Sequence, residues 1–360
     1  MSELLMVAGG GTGGHIYPAI AIAKEYLARS ASRQVVFVGT EYGLEKTIVP
    51  KAGFPLEFVR VGGLKGKSLG HTLRNLLRLP LGFLDAWRLL SLHRPAAVLG
   101  VGGYASGPVL MVAALRGIPT IIHEANAFPG LTNRILARFV RTIAVGFPKA
   151  IEQFGGKGIV TGNPVRSEFF EASPARADSD KVHLLLFGGS QGSKILNDTM
   201  AHALLFMAHL RGRLEIVHQT GPAMLEEIRA AYTSSAFPGA RIVPYLDAMA
   251  AEMAAADLVV SRAGAMTVGE LAAVGRAAIL VPFAAATNNH QEFNARALET
   301  AGGSVVITES KLTPERLAAR ISELAADPPG LREMGKRQRS QAVADATVNI
   351  VNLIEGIDRK

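Results

Sequence analysis

Two glycine-rich turns set the frame for this chain. Ala8-Gly-Gly-Gly-Thr-Gly-Gly-His15 follows the apolar run Leu4-Leu-Met-Val7, Phe187-Gly-Gly-Ser-Gln-Gly-Ser193 follows another apolar run, and a helix-like stretch comes after each. Glycine lets a strand-to-helix turn approach a ligand with no Cβ in the way, and the N-terminus of the next helix offers unpaired N–H groups to a phosphate. The duplication implies two α/β halves of nucleotide-binding size and a cleft enzyme that handles phosphorylated substrates.

Short apolar runs at 4–8, 35–39, 56–61, 97–101, 119–122 and 142–146 alternate with helix-length stretches such as 18–30 and 131–140. The second half repeats the pattern, with strands expected near 183–188, 214–218, 241–244, 257–261, 277–281 and 304–307 and helices near 193–209, 222–232, 267–275 and 289–301. Such alternation predicts the α/β class, as two doubly wound parallel-sheet domains. A chain of 360 residues is long enough to bury two cores. The small, polar, Pro-containing segment 171–180, after Gly162-Asn-Pro-Val-Arg166, predicts a linker. We therefore expect one domain over 1–163, a second over 164–340, and a C-terminal helix over 341–360 packing back on the first. In open parallel sheets ligands bind beyond the carboxyl ends of the strands, so both glycine turns are expected to face a common cleft.

The sequence has no run of about 18 apolar residues and enters Leu4-Leu-Met-Val-Ala8 without a basic leader, so neither a membrane span nor a signal peptide is expected. The absence of cysteine excludes disulfides and thiolate metal sites and agrees with a cytoplasmic setting. Charge divides unevenly: residues 1–163 hold 18 Lys and Arg against 8 Asp and Glu, and the remainder 20 against 22. Between Arg60 and Arg94, Arg60, Lys65, Lys67, Arg74, Arg78, Arg88 and Arg94 face only Asp85, so an anionic partner is expected on the first half. Leu69, Leu73, Leu76, Leu77, Leu84 and Trp87 share a helical face beside Arg74, Arg78 and Arg88. This pattern suits peripheral binding to an anionic membrane, each arginine contributing on the order of 1 kcal/mol near the leaflet. The alternative is a core helix in two pieces, broken or kinked at Pro80. Nucleic acid is not expected, because no RNA-binding motif accompanies the basic half and only 6% of residues are aromatic.

Gly9 to Gly14 satisfies the dinucleotide fingerprint G-x-G-x-x-G, but the acidic residue expected at the end of the next strand is missing, since Val35-Val-Phe-Val-Gly39 runs into Thr40-Glu41. A bare packing turn needs no polar groups, yet Thr12 and His15 stand in this one. A histidine at the mouth of a phosphate-binding turn can accept a proton near neutral pH, as a general base must. The second turn lacks Gly-Lys-Ser/Thr and is no P-loop. Its Ser190 suits either a phosphate or a helix N-cap. Thr267 and Glu270, in Ser261-Arg-Ala-Gly-Ala-Met-Thr-Val-Gly-Glu270, are spaced as a capping box; a helix start at Gly264 also suits a diphosphate, and Glu270 ribose hydroxyls. His123-Glu-Ala-Asn126 ends a strand on the side where a site is expected, and Arg166 follows Gly162-Asn-Pro164; these groups serve either a ligand or loop backbone. Asp178-Ser-Asp180 has metal-like spacing but stands in the linker with no strand before it, so no metal site is expected there.

In order along the chain, Gly10-Gly-Thr-Gly-Gly-His15, Gly102-Gly-Tyr-Ala-Ser-Gly-Pro108, His123-Glu-x-Asn126, Gly162-Asn-Pro-Val-Arg166, Gly188-Gly-Ser-Gln-Gly192 and Arg262-Ala-Gly-Ala-x-Thr-x-x-Glu270 resemble the MurG family of bacterial N-acetylglucosaminyltransferases of peptidoglycan synthesis. The resemblance spans nearly the whole chain. It implies the GT-B fold, two Rossmann-like domains separated by a deep cleft, with no metal and no other cofactor. It implies inverting transfer of N-acetylglucosamine from UDP-N-acetylglucosamine to the 4-hydroxyl of undecaprenyl-pyrophosphoryl-N-acetylmuramyl-pentapeptide, by an enzyme held peripherally on the cytoplasmic side of the inner membrane. Leu73, Arg74, Leu76, Leu77, Arg78, Leu84 and Trp87 would meet that membrane. For such a transfer His15 is the first choice of general base, and Tyr104, His123 and Glu124 are expected on the acceptor side. By the same resemblance Thr12, Gly13, Gly14, Asn126, Arg166, Ser190, Leu246, Ala265, Met266, Thr267, Val268, Gly269, Glu270 and Gln291 are implicated in donor binding. Leu246 would meet the uracil, Glu270 the ribose, Met266 and Thr267 the diphosphate, and Gln291 the sugar. The segment Ala284-Ala-Ala-Thr-Asn-Asn289 departs from the family's form in lacking its charged residues. The rival expectations are a related GT-B glycolipid synthase or sugar-nucleotide epimerase, and a non-catalytic carrier of nucleotide or anionic lipid.

Overall fold

The computed structural model describes residues 3–62, 69–172 and 181–357, without the side chains of 69–78 and Thr287. The chain divides into two compact units, residues 1–164 with 345–360, and residues 165–344.

In the first unit, β1 (Leu4–Ala8), β2 (Gln34–Gly39), β3 (Leu56–Phe58), β4 (Ala97–Gly100), β5 (Thr120–Glu124), β6 (Thr142–Val145) and β7 (Ile159–Val160) form a parallel sheet in the order β3-β2-β1-β4-β5-β6-β7. The helices are α1 (Gly13–Ala28), α2 (Glu45–Lys51), α3 (Leu69–His93), α4 (Ser106–Leu115), α5 (Leu131–Leu136) and α6 (Ala150–Gln153). A core cluster forms on each face: Met6, Val36, Val98, Leu110 and Ile122 in one, Leu5, Val7, Ile22, Leu99 and Ile121 in the other. Strands covered on both faces need apolar residues at every position, which is why they read as unbroken apolar runs. The C-terminal helix Ala346–Gly356 belongs to this unit, adding Ile350, Val351 and Ile354 to the second cluster while Glu355 receives Arg29 and Arg33.

In the second unit, β8 (Val182–Phe187), β9 (Leu214–Gln219), β10 (Arg241–Val243), β11 (Leu258–Ser261), β12 (Ala277–Leu280) and β13 (Ser304–Val306) pair in parallel in the order β10-β9-β8-β11-β12-β13. Its helices are α7 (Ser167–Glu171), α8 (Lys194–Phe206), α9 (Leu225–Thr233), α10 (Met249–Ala255), α11 (Ala265–Val274), α12 (His290–Thr300), α13 (Pro314–Ala325) and α14 (Pro328–Arg339). Both units are thus doubly wound, as the alternation predicts, and in each the strand order reverses at the first strand, β1 or β8. Both glycine turns leave a strand at its switch point, the place where such sheets bind ligands.

Two local expectations fail. α1 begins at Gly13, five residues before the expected start, and carries Pro18 inside it. Glycine is a poor helix former, but burial of Ile16, Ala19, Ile20 and Ala23 outweighs that deficit. Nor does Pro80 divide α3, which runs unbroken from Leu69 to His93. The linker segment 173–180, with Asp178 and Asp180, lies outside the described residues, as do Lys65 and Lys67.

The turn after β4 lies backbone to backbone against the first glycine turn. Gly10 N–H donates to Gly102 O at 3.3 Å, and a Cβ on Gly103, at φ 84°, would stand 2.5 Å from Gly10 O. A Cβ on Gly117, at φ 73°, would meet open space. In urea unfolding, Gly117→Ala should cost about 1 kcal/mol for its left-handed backbone, and Gly103→Ala roughly 2–4 kcal/mol because a clash is added. Equal losses would contradict the close approach.

Candidate active site

In the first unit the site is organised around His15, the third residue of α1 and half-buried. Its Nδ1 lies 3.1 Å from Gly10 O and 3.4 Å from Thr12 Oγ1. A carbonyl oxygen only accepts, so Nδ1 carries the ring proton and Nε2 keeps its lone pair. That lone pair is what a general base needs. The amides of Thr12, Gly13 and Gly14 open the helix and have no intrahelical acceptor. Gly11 N–H, by contrast, donates at 2.7 Å to Glu45, so the turn keeps fewer amides for a phosphate than its sequence promises.

Tyr104 stands exposed on the β4 turn. His123 is buried, and its Nε2 donates to Gly162 O at 3.3 Å. Burial pushes the imidazole down to about 4, against the bond to Gly162 and with the charge of His15 as a lesser cause, so it stays neutral near pH 7. Glu124, also buried, accepts from Asn126 N–H at 2.9 Å, Asn126 Nδ2 at 3.0 Å, Gly130 N–H at 3.0 Å and Asn133 Nδ2 at 2.9 Å. Glu124 therefore holds its own loop and fixes half-buried Asn126, whereas His123 ties β5 to the segment after β7.

In the second unit, a cleft of about 640 Å³ opens past the ends of β8 and β11, lined by residues 187–189, 192–195, Arg262, Gly264, Thr267, Phe283, Gln291 and Glu309. The N-termini of α8 and α11 open on it. Unpaired amides at helix starts favour an anion. Gly264 caps α11, which makes Thr267 its third residue and Glu270 its sixth, so the capping box is absent. Ser193 holds the N-cap position of α8; Ser190 sits three residues earlier on the exposed turn, which removes the N-cap alternative for it.

Arg262 braces the cleft, donating to Glu309 Oε1 at 2.5 Å, Ser193 Oγ at 2.8 Å and Val281 O at 3.3 Å. Gln291 lines the cleft, and its Oε1 accepts from Phe283 N–H at 3.0 Å and Ala263 N–H at 3.2 Å. Leu246 is buried between β10 and α10 and does not line the cleft. Arg262, Ser193 and Glu309 went unassigned at the sequence level. The first two lie inside glycine motifs, whereas Glu309 is 47 residues from its partner and carries no local signal.

Ala265, Met266, Val268, Gly269 and Glu270 continue α11, with α7 packed beside it. Arg166 precedes α7, its Nη1 2.9 Å from Glu168 and its Nη2 3.8 Å from Glu270. Burial pushes Glu270 up to about 7, opposed by Arg166 and reinforced by Glu168. Among the described residues no group of three or more His, Asp or Glu could hold a metal ion, and no helix is long and apolar enough to cross a membrane.

Comparison with known proteins follows the same division. Residues 5–145 match the model of the glycosyltransferase family 28 N-terminal domain, and residues 183–350 that of the family 28 C-terminal domain. The chain is 44% identical over 356 residues to the UDP-N-acetylglucosamine--N-acetylmuramyl-(pentapeptide) pyrophosphoryl-undecaprenol N-acetylglucosamine transferase of Myxococcus xanthus (strain DK1622), covering 96% of this chain and 93% of that one. It is 46% identical over 359 residues to the protein of the same name from Anaeromyxobacter sp. (strain K), with the same coverage. Among solved structures, MurG of Acinetobacter baumannii superposes with a TM-score of 0.82 at 31% identity, covering 98% of this chain and 99% of that one. The calicheamicin glycosyltransferase CalG4 shares the fold alone, with a TM-score of 0.70 at 16% identity over 99% of this chain and 98% of its own.

The raised Glu270 makes a stability test available. Its carboxyl ionises near 4.5 when unfolded and near 7 when folded, so its ionisation costs nothing below pH 4.5 and costs its full amount above pH 7. Glu270→Gln should leave urea stability unchanged at pH 4 and raise it at pH 8 by on the order of 2–3 kcal/mol. An equal change at both pH values would contradict the burial effect.

Proposed function

This chain belongs to glycosyltransferase family 28, and from that premise we propose that it transfers N-acetylglucosamine from UDP-N-acetylglucosamine to the 4-hydroxyl of undecaprenyl-pyrophosphoryl-N-acetylmuramyl-pentapeptide. The observation that carries this is near full-length likeness to relatives named for that reaction. Its two doubly wound units are those of the GT-B fold.

The reaction is a single inverting displacement. His15 Nε2 takes the proton of the acceptor hydroxyl, that oxygen bonds to the anomeric carbon, and the bond to the UDP oxygen breaks, turning α into β. Charge grows on the leaving diphosphate, and the amides at the starts of α8 and α11, with the Thr267 hydroxyl, meet it already oriented. Glu270 accepts from ribose hydroxyls, the backbone at Leu246, whose side chain is buried, meets the uracil, and the Gln291 amide donates to the sugar. Arg166, Ser190 and Asn126 complete the donor contacts, and Tyr104 faces the acceptor. His15→Ala should lower kcat on the lipid-linked acceptor about 10²–10⁴-fold with modest change in donor Kd; an unchanged kcat removes His15 from this role.

The acceptor's lipid gives the first unit a membrane to meet, and its basic excess suits an anionic leaflet on the cytoplasmic side of the inner membrane. Phe83, Leu84 and Trp87 on α3 are exposed, with Arg116 stacked 4.8 Å over the Trp87 ring, and Leu131, Ile135 and Phe139 are exposed on or just after α5. Leu73, Arg74, Leu76, Leu77 and Arg78 lie on α3 with side chains outside the described residues. The pair Leu84→Glu and Trp87→Glu should weaken sedimentation with anionic vesicles roughly tenfold or more, leaving urea stability intact. Undiminished vesicle binding would move the membrane face elsewhere.

A further inference from the structure

Glu45 is buried, 1% exposed, yet among the described residues it forms no ion pair. Its carboxylate accepts from three donors, Gly11 N–H at 2.7 Å and the N–H and Oγ1–H of Thr40 at 2.9 Å each. Room is made for it by Gly10, Gly39 and Gly43, where a Cβ would come within 2.0–2.5 Å of the Glu45 side chain. The amide it binds, Gly11 N–H, belongs to the same peptide group as Gly10 C=O, and Gly10 O accepts from His15 Nδ1 at 3.1 Å. A carboxylate, a peptide and an imidazole therefore stand in one hydrogen-bonded line.

We propose that Glu45 is a positioning residue for the transfer reaction, acting through the Gly10–Gly11 peptide to hold His15 in the Nδ1–H tautomer that leaves Nε2 to accept the proton. The proposal rests on the assignment of His15 as the base. A peptide bonded to an anion through its N–H is polarised, which makes its carbonyl oxygen a stronger acceptor. The same carboxylate favours the imidazolium once the ring has taken a proton. The other groups facing the ring are Thr12 Oγ1, the backbone of Gly102, and His123 from β5, which burial keeps neutral.

Glu45→Gln keeps the shape, removes the charge, and leaves one backbone donor without an acceptor. We expect kcat to fall roughly ten- to a hundredfold, as for other partners that orient a histidine, with donor KM changed far less, because Glu45 bonds to Gly11 and Thr40 and to none of the residues assigned to the donor. In ¹⁵N NMR of the full chain at alkaline pH, wild-type His15, identified by its loss in His15→Ala, should show the Nδ1–H form. In Glu45→Gln it should move toward the Nε2–H form that free histidine favours. Thr40→Val, which keeps the carboxylate and the Gly11 bond, should retain wild-type kcat and tautomer. A wild-type Nε2–H ring overturns the proposal even if Glu45→Gln does not fold, and so does a drop in kcat with no change of tautomer. Full turnover in His15→Ala would instead remove the base assignment, and the tautomer comparison would still decide what Glu45 does.

Discussion

The tightest constraint in the first unit is the approach of two backbone turns at the carboxyl end of β1. Gly10 N–H meets Gly102 O, the Ser106 hydroxyl lies 2.7 Å from Ala8 O and 2.9 Å from Gly102 O, and Glu45 occupies the volume that a side chain at position 10 would take. These contacts fix the direction in which the chain leaves β1, and with it where α1 starts and where His15 points. The position of His15 is therefore set by glycine backbone and one buried carboxylate, and the apolar clusters on either face of the sheet hold that arrangement from below.

The second unit uses the same switch-point geometry for a different purpose. Its cleft offers helix-start amides and hydroxyls, while the two cations that line it are already paired, Arg262 with Glu309 and Ser193 and Lys194 with Asp198. In the proposed reaction a diphosphate there would meet oriented dipoles, which need no reorganisation as charge shifts to the leaving group. The basic surplus lies instead in the first unit, with the exposed aromatic and aliphatic groups of α3 and α5. On the proposed reading, donor chemistry belongs to the second unit and membrane attraction to the first.

Strand positions and the doubly wound parallel class were legible because fully buried parallel strands write themselves as apolar runs, whereas the order of the strands came only from the folded sheets. Helix starts were less legible. Gly13 and Gly14 conceal the first turn of α1, and the Thr267 and Glu270 spacing imitates a capping box although the helix begins at Ala265. Contacts to backbone leave no period to read: Glu45 binds the amides of Gly11 and Thr40, and nothing in its spacing marks it as their acceptor. The pairing of Arg262, after β11, with Glu309, after β13, depends on β11, β12 and β13 lying side by side, which only the folded sheet provides.

The central claim is that this chain turns over a UDP-sugar by passing the sugar to a lipid-linked muramyl acceptor, with the diphosphate stabilised by protein groups. The most direct measurement is UDP release from UDP-N-acetylglucosamine by the purified chain in EDTA, with and without that acceptor. The account predicts release that depends on the acceptor and is undiminished by EDTA. Tight donor binding with no release at saturating acceptor would contradict it and identify a nucleotide carrier instead.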